Sequence, residues 1–177
     1  MTYYEDLTPC AYFDDISSDG SGRPWSEFLT AVGWLEPDHV FPTGHSEPAF
    51  VDKLIELRNS GQGSMGYHRC GFCPGAPEKT PTSVTYDGKA IDVGDRTILV
   101  PGRETVYAAS SLIIHYVVDH DYSPPTEFRD AVNSCPSVHS REYLKRMDFM
   151  LEPEEEPSKW YSGILRLLPK TIRSHLT

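Results

Sequence analysis

Apolar positions recur along this chain with two different spacings, and the change falls near residue 66. Before it, Trp25, Phe28, Leu29, Val32 and Trp34-Leu35 follow helix-like intervals, broken at Gly33 and stopped by Pro37. Phe50, Val51, Leu54, Ile55 and Leu57 form a clearer apolar stripe. Ser46 is its expected N-cap, Glu47 and Pro48 suit its first turn, and Asn59-Ser60-Gly61 should end it. Beyond residue 66 the pattern becomes that of strands. Ser83-Val84-Thr85-Tyr86 and Ala90-Ile91-Asp92-Val93 flank Asp87-Gly88, a tight-hairpin signal. Thr97-Ile98-Leu99-Val100 reads as a buried strand stopped by Pro101-Gly102, and Thr105-Val106-Tyr107 can pair back on it. Ser110-Ser111 is positioned to cap a helix over Leu112 to Asp119, which is apolar on nearly every side and therefore central. After Pro124-Pro125, Thr126 to Val132 predicts one more short helix.

The last third changes character again. Arg141 to Leu151 suits an amphipathic helix, and Glu152-Pro153-Glu154-Glu155-Glu156-Pro157 reads as an acidic, proline-bounded linker. Residues 158–177 hold Lys159, Arg166, Lys170 and Arg173 without an acid, interleaved with Trp160, Tyr161, Ile164, Leu165 and Leu168. This basic, apolar tail is expected to pack back on the body more readily than to act as a membrane or nucleic-acid anchor. At the other end, Asp14 to Gly22 is a polar, glycine-spaced loop.

Composition narrows the function classes. At 19.9 kDa the chain fits one domain of ordinary size with room for a tail. It has no apolar run long enough for a membrane span, and the acidic opening Met1-Thr2-Tyr3-Tyr4-Glu5-Asp6 is unlike a signal peptide, so a cytoplasmic location is expected. A net charge of −10 argues against a general phosphate-binding surface and suits a basic protein partner.

The candidate chemistry lies in Cys70-Gly71-Phe72-Cys73 and in His115-Tyr116-Val117-Val118-Asp119-His120. The first is a C-x2-C knuckle, whose two thiolates can share one Zn²⁺ with amides of the turn facing the sulfurs. The second is H-x4-H on the central helix. Positions five apart on an ideal helix diverge by about 140°, so the last turn must loosen for both rings to converge. Knuckle, strands and histidine helix follow the order of a Cys2His2 finger, with 41 residues separating Cys73 from His115 where a DNA-binding finger has about 12. A redox role for the cysteines remains open, and His68 could replace one histidine. Cys10 and Cys135 have no spaced partner and read as ordinary thiols.

Val32-Gly33-Trp34-Leu35, Phe41-Pro42-Thr43-Gly44, His68-Arg69-Cys70-Gly71-Phe72-Cys73-Pro74, Val100-Pro101-Gly102, Val106-Tyr107-Ala108-Ala109 and His115-Tyr116 through Pro124-Pro125 carry a resemblance over residues 25–135. The chain resembles a family of small uncharacterised bacterial proteins with a C-x2-C…H-x4-H zinc-finger-like pattern. The resemblance implies a bacterial cytoplasmic protein with paired Cys and His residues, and it assigns no activity.

Two thiolates and two imidazoles would close the zinc shell, so the expected cofactor is a structural Zn²⁺ held by Cys70, Cys73, His115 and His120. Glu104 and Asp119 could be read as general bases, although orienting a ligating histidine is the more ordinary role for Asp119. There is no G-x-S-x-G, phosphate-binding glycine loop or H-E-x-x-H. The leading expectation is a non-enzymatic zinc-containing protein-binding module, with immunity or regulation as its concrete form. A metal-dependent hydrolase and a nucleic-acid-binding zinc-finger protein are the alternatives. The expected architecture is α+β: a small antiparallel sheet plus helix around a zinc site, packed against N-terminal helices, with a helical C-terminal tail. Residues 1–135 would form the zinc-finger-like domain and residues 136–177 a helical extension containing the acidic linker 152–157.

Overall fold

A computed structural model describes residues 2–16, 24–63, 67–73, 81–138 and 140–147. The acidic linker 152–157 and the basic tail 158–177 lie outside the described residues. The fold is α+β. Strands β1 (Leu29–Ala31), β2 (Gln62–Gly63), β5 (Arg96–Pro101) and β6 (Val106–Ser110) form a four-stranded sheet in the order β1-β6-β5-β2. Strands β3 (Thr82–Tyr86) and β4 (Lys89–Val93) form a separate hairpin. Helices α1 (Pro48–Ser60), α2 (Ile113–Asp119), α3 (Thr126–Asn133) and α4 (Arg141–Met147) pack around them.

The hairpin forms where Asp87-Gly88 predicted it. Both residues have positive φ, 48° and 70°, so the turn twist matches that of its strands. Strands β5 and β6 pair antiparallel through five residues each, and β6 is buried along its whole length. That burial explains the continuous small-and-apolar run Val106 to Ala109.

One expected helix is a strand. Within that stretch Trp25–Glu27 makes a 3-10 turn, and Leu29–Ala31 then pairs parallel with β6. Its outer edge is covered by the N-terminal segment, through Cys10 N–H to Leu29 O (2.8 Å) and Ala31 N–H to Thr8 O (2.8 Å). The sheet is therefore mixed rather than purely antiparallel. Partners far away in sequence overrode an apolar spacing too short to decide between helix and strand.

The core runs from Trp34, whose indole N–H donates to Ala108 O at 2.8 Å, to Phe50, Leu54 and Leu57 of α1 and Phe128 of α3. Phe50 and Tyr107 each meet Phe128 edge-on. Helix α4 joins this core through Tyr143, whose buried hydroxyl donates to Leu99 O at 2.9 Å. Among the described residues no helix is long and apolar enough to cross a membrane.

Candidate metal centre

The knuckle is fixed from both sides. His68 N–H donates to Gly94 O at 2.7 Å, which fastens the approach to Cys70 onto the β4–β5 turn. Gly94 has φ +90°, and a Cβ there would stand 2.1 Å from His68 O, so the close approach needs glycine. Cys70 N–H in turn donates to Thr82 Oγ1 at the start of β3, 3.2 Å away. Sequence reasoning missed Gly94 and Thr82, for which the only local signal is a glycine directly after a hairpin strand.

The histidines come from α2 and its exit. Leu112, not a serine, is the α2 N-cap. Ser110 Oγ accepts from Leu112 N–H at 3.3 Å, while Ser111 Oγ accepts from Gly94 and Arg96 N–H and so holds the β4–β5 turn. Similarly, Ser46 does not cap α1; Glu47 is at that position and makes no side-chain cap bond. At its far end α2 stops at Asp119. His120 has left helical geometry at φ −122° and ψ 10°, and Asp121 takes φ 53°. The N–H groups of His120 and Tyr122 both reach Tyr116 O, at 3.2 and 2.9 Å. This is the loosened last turn that H-x4-H demands. A strap from residues 42–44 holds it, with Gly44 N–H donating to Asp121 O and Ser123 N–H to Pro42 O.

The result is a four-residue cluster. Cys70 Sγ lies 3.2 Å from His120 Nε2, and Cys73 Sγ lies 3.3 Å from His115 Nε2 and 3.4 Å from His120 Nε2. The two Nε2 atoms are 3.2 Å apart, and all four donor atoms fall within 4.8 Å of one another. Cys70 and His115 are buried, whereas Cys73 and His120 are half-buried. Phe72 covers this side, with its ring 5.4 Å from His120, 5.8 Å from Tyr116 and 5.3 Å from Phe41.

Burial pushes the Cys70 thiol up to about 11, opposed by the backbone N–H groups of Phe72 and Cys73, which bond its sulfur. Those are the turn amides a knuckle directs at an anionic sulfur. Burial also holds His115 below its usual range, against the pull of Asp119, so the ring favours the neutral form that binds metals. Asp119 Oδ2 stands 2.6 Å from His115 Nδ1.

The other sequence candidates lie elsewhere. His68 turns its Nε2 to the Tyr12 hydroxyl, 3.0 Å away, and is not in the cluster. Glu104 is exposed in the β5–β6 turn. Cys10 and Cys135 are buried free thiols, each raised to about 11 by burial. The four-residue cluster could hold one metal ion.

No curated protein and no solved structure matches the chain. A family model matches residues 2–133, and the chain belongs to that family, described as a domain of unknown function, DUF7919.

Proposed function

We propose that Cys70, Cys73, His115 and His120 bind one structural Zn²⁺, and that the protein is a non-enzymatic zinc-containing protein-binding module of bacterial, cytoplasmic type. The observation that carries the reading is the closed set of four donors. A tetrahedral Zn²⁺ with bonds of about 2.3 Å to sulfur and about 2.0–2.1 Å to nitrogen sets S···N near 3.5 Å and N···N near 3.3 Å. Four of the six separations, 3.2 to 3.4 Å for S···N and 3.2 Å for N···N, fit that polyhedron slightly contracted, and the other two lie within 4.8 Å. When bound, the metal would join the knuckle to the exit of α2 and contribute to folding.

Four protein donors leave no position for a substrate or an activated water, which disfavours the hydrolase alternative. The nucleic-acid alternative needs a helix that offers polar side chains to a groove. Ile113, Ile114, His115, Tyr116 and Val117 of α2 are all buried, which favours a core role. The net charge of −10 supports a basic protein partner, such as a nucleic-acid-targeting toxin neutralised by charge complementarity. Within this proposal residues 136–177 extend the 1–135 unit, and α4 docks their first part through Tyr143.

Cobalt substitution tests the closed shell. Co²⁺-loaded protein should show the visible spectrum of tetrahedral thiolate–imidazole ligation, unchanged by added azide or cyanide. A spectrum that shifts on adding either anion would reveal an open coordination position and return the catalytic reading.

A further inference from the structure

An imidazole offers a metal whichever ring nitrogen does not carry the proton, and the group facing the other nitrogen decides the choice. His115 presents Nε2 to the cluster, 3.3 Å from Cys73 Sγ and 3.2 Å from His120 Nε2. Its buried Nδ1 has no aligned hydrogen-bond partner, and the group that faces it is Asp119 Oδ2, 2.6 Å away and one helical turn further along α2. Asp119 is the last residue of α2, where a negative charge meets the carbonyl end of the helix and is locally unfavourable. It is also 41% exposed while His115 is 5% exposed, so burial does not require an acid there. With its carboxylate in contact with solvent, an i,i+4 partner adds little to helix stability by itself. Neither helix formation nor packing therefore accounts for a carboxylate at this position, and its contact with the ring does.

We propose that Asp119 is a positioning residue of the metal centre, holding the His115 proton on Nδ1 so that Nε2 faces the metal as a strengthened donor. The inference rests on the reading of the four side chains as ligands. Both members lie on one helix at i and i+4, so this half of the site is oriented before the metal arrives. Carboxylate contacts of this kind are worth roughly 10- to 100-fold in metal affinity elsewhere.

The test compares wild type, Asp119→Ala and Asp119→Asn, each loaded with Zn²⁺ and then exposed to a competing chelator. The expected result is that Asp119→Ala holds zinc about 10- to 100-fold more weakly. Asp119→Asn, which keeps a neutral acceptor, should recover part of the loss. Metal-free protein should unfold at the same urea concentration in all three. In wild type, nitrogen NMR of the loaded protein should place the His115 proton on Nδ1. Unchanged zinc affinity in Asp119→Ala, or an equal loss of stability with and without metal, would overturn the positioning role alone. Wild type that takes up no metal would overturn the ligand reading beneath it.

Discussion

Cys73 Sγ lies 3.3 Å from His115 Nε2, although 41 residues separate them and they sit on opposite sides of a β-hairpin and two sheet strands. The contact places the middle of the chain inside one closed loop, with Cys70 and His120 completing it. If a metal joins the two ends, its removal should loosen the elements between. Stripping with a chelator is expected to lower the thermal midpoint, and hydrogen exchange should rise first in β3, β4 and the exit of α2. An exchange pattern indifferent to the chelator would contradict this.

The two thiols differ in access, since Cys70 is buried and Cys73 half-buried. In metal-free native protein, a limiting amount of a bulky alkylating reagent should modify Cys73 before the buried Cys70, Cys10 and Cys135. Peptide mapping reads the order. Metal loading should protect both members of the knuckle.

Among the described residues, Gly94 is the most constrained glycine next to the site. Gly94→Ala must leave the left-handed region or push His68 O away, and should cost more than about 2 kcal/mol in urea unfolding. Gly88 also has positive φ, at +70°, but a Cβ there meets nothing within 4 Å. Gly88→Ala should therefore cost only the backbone strain, about 1 kcal/mol.

Asp6 binds the strap region to the N-terminus. Its Oδ1 accepts from Gly33 N–H at 2.8 Å and its Oδ2 accepts from the fully buried Tyr122 hydroxyl at 2.6 Å. Burial raises its carboxyl above the ordinary 3.8, outweighing the two donors that lower it. The folded protein thus holds the Asp6 proton more tightly than the unfolded chain does. Its contribution to stability grows as pH falls from neutral through that raised value, and levels off below 3.8. Wild type should gain on Asp6→Asn in urea unfolding between about pH 7 and about pH 4. A gap constant across that window would contradict the assignment. Asp6→Ala, which leaves both donors without an acceptor, should cost about 2–4 kcal/mol at neutral pH.

What was legible in the sequence was local. The Asp87-Gly88 hairpin, α1 ending at Ser60, and the need for a loosened turn before His120 all follow from a few adjacent residues. The Cys and His pairs were legible for the same reason, because each pair is set by a short spacing. Strand β1 was not, since its hydrogen bonds come from residues 7–10 and 106–108, and nothing near Leu29 announces them. Ser111 looked like a helix cap because serine before an apolar run usually is one. Here its hydroxyl serves two amides of a turn that comes more than ten residues earlier. The pairing of His68 with Tyr12, and of Asp6 with Tyr122, likewise joins segments that only the finished fold brings together.

A zinc ion held by Cys70, Cys73, His115 and His120 would be carried through purification. Elemental mass spectrometry of untagged, purified protein reads it out, with Cys70→Ser measured beside wild type. The expected result is about one zinc per wild-type chain, and loss of both zinc and thermal stability in the variant. No zinc in wild type, or zinc retained without Cys70, would contradict it.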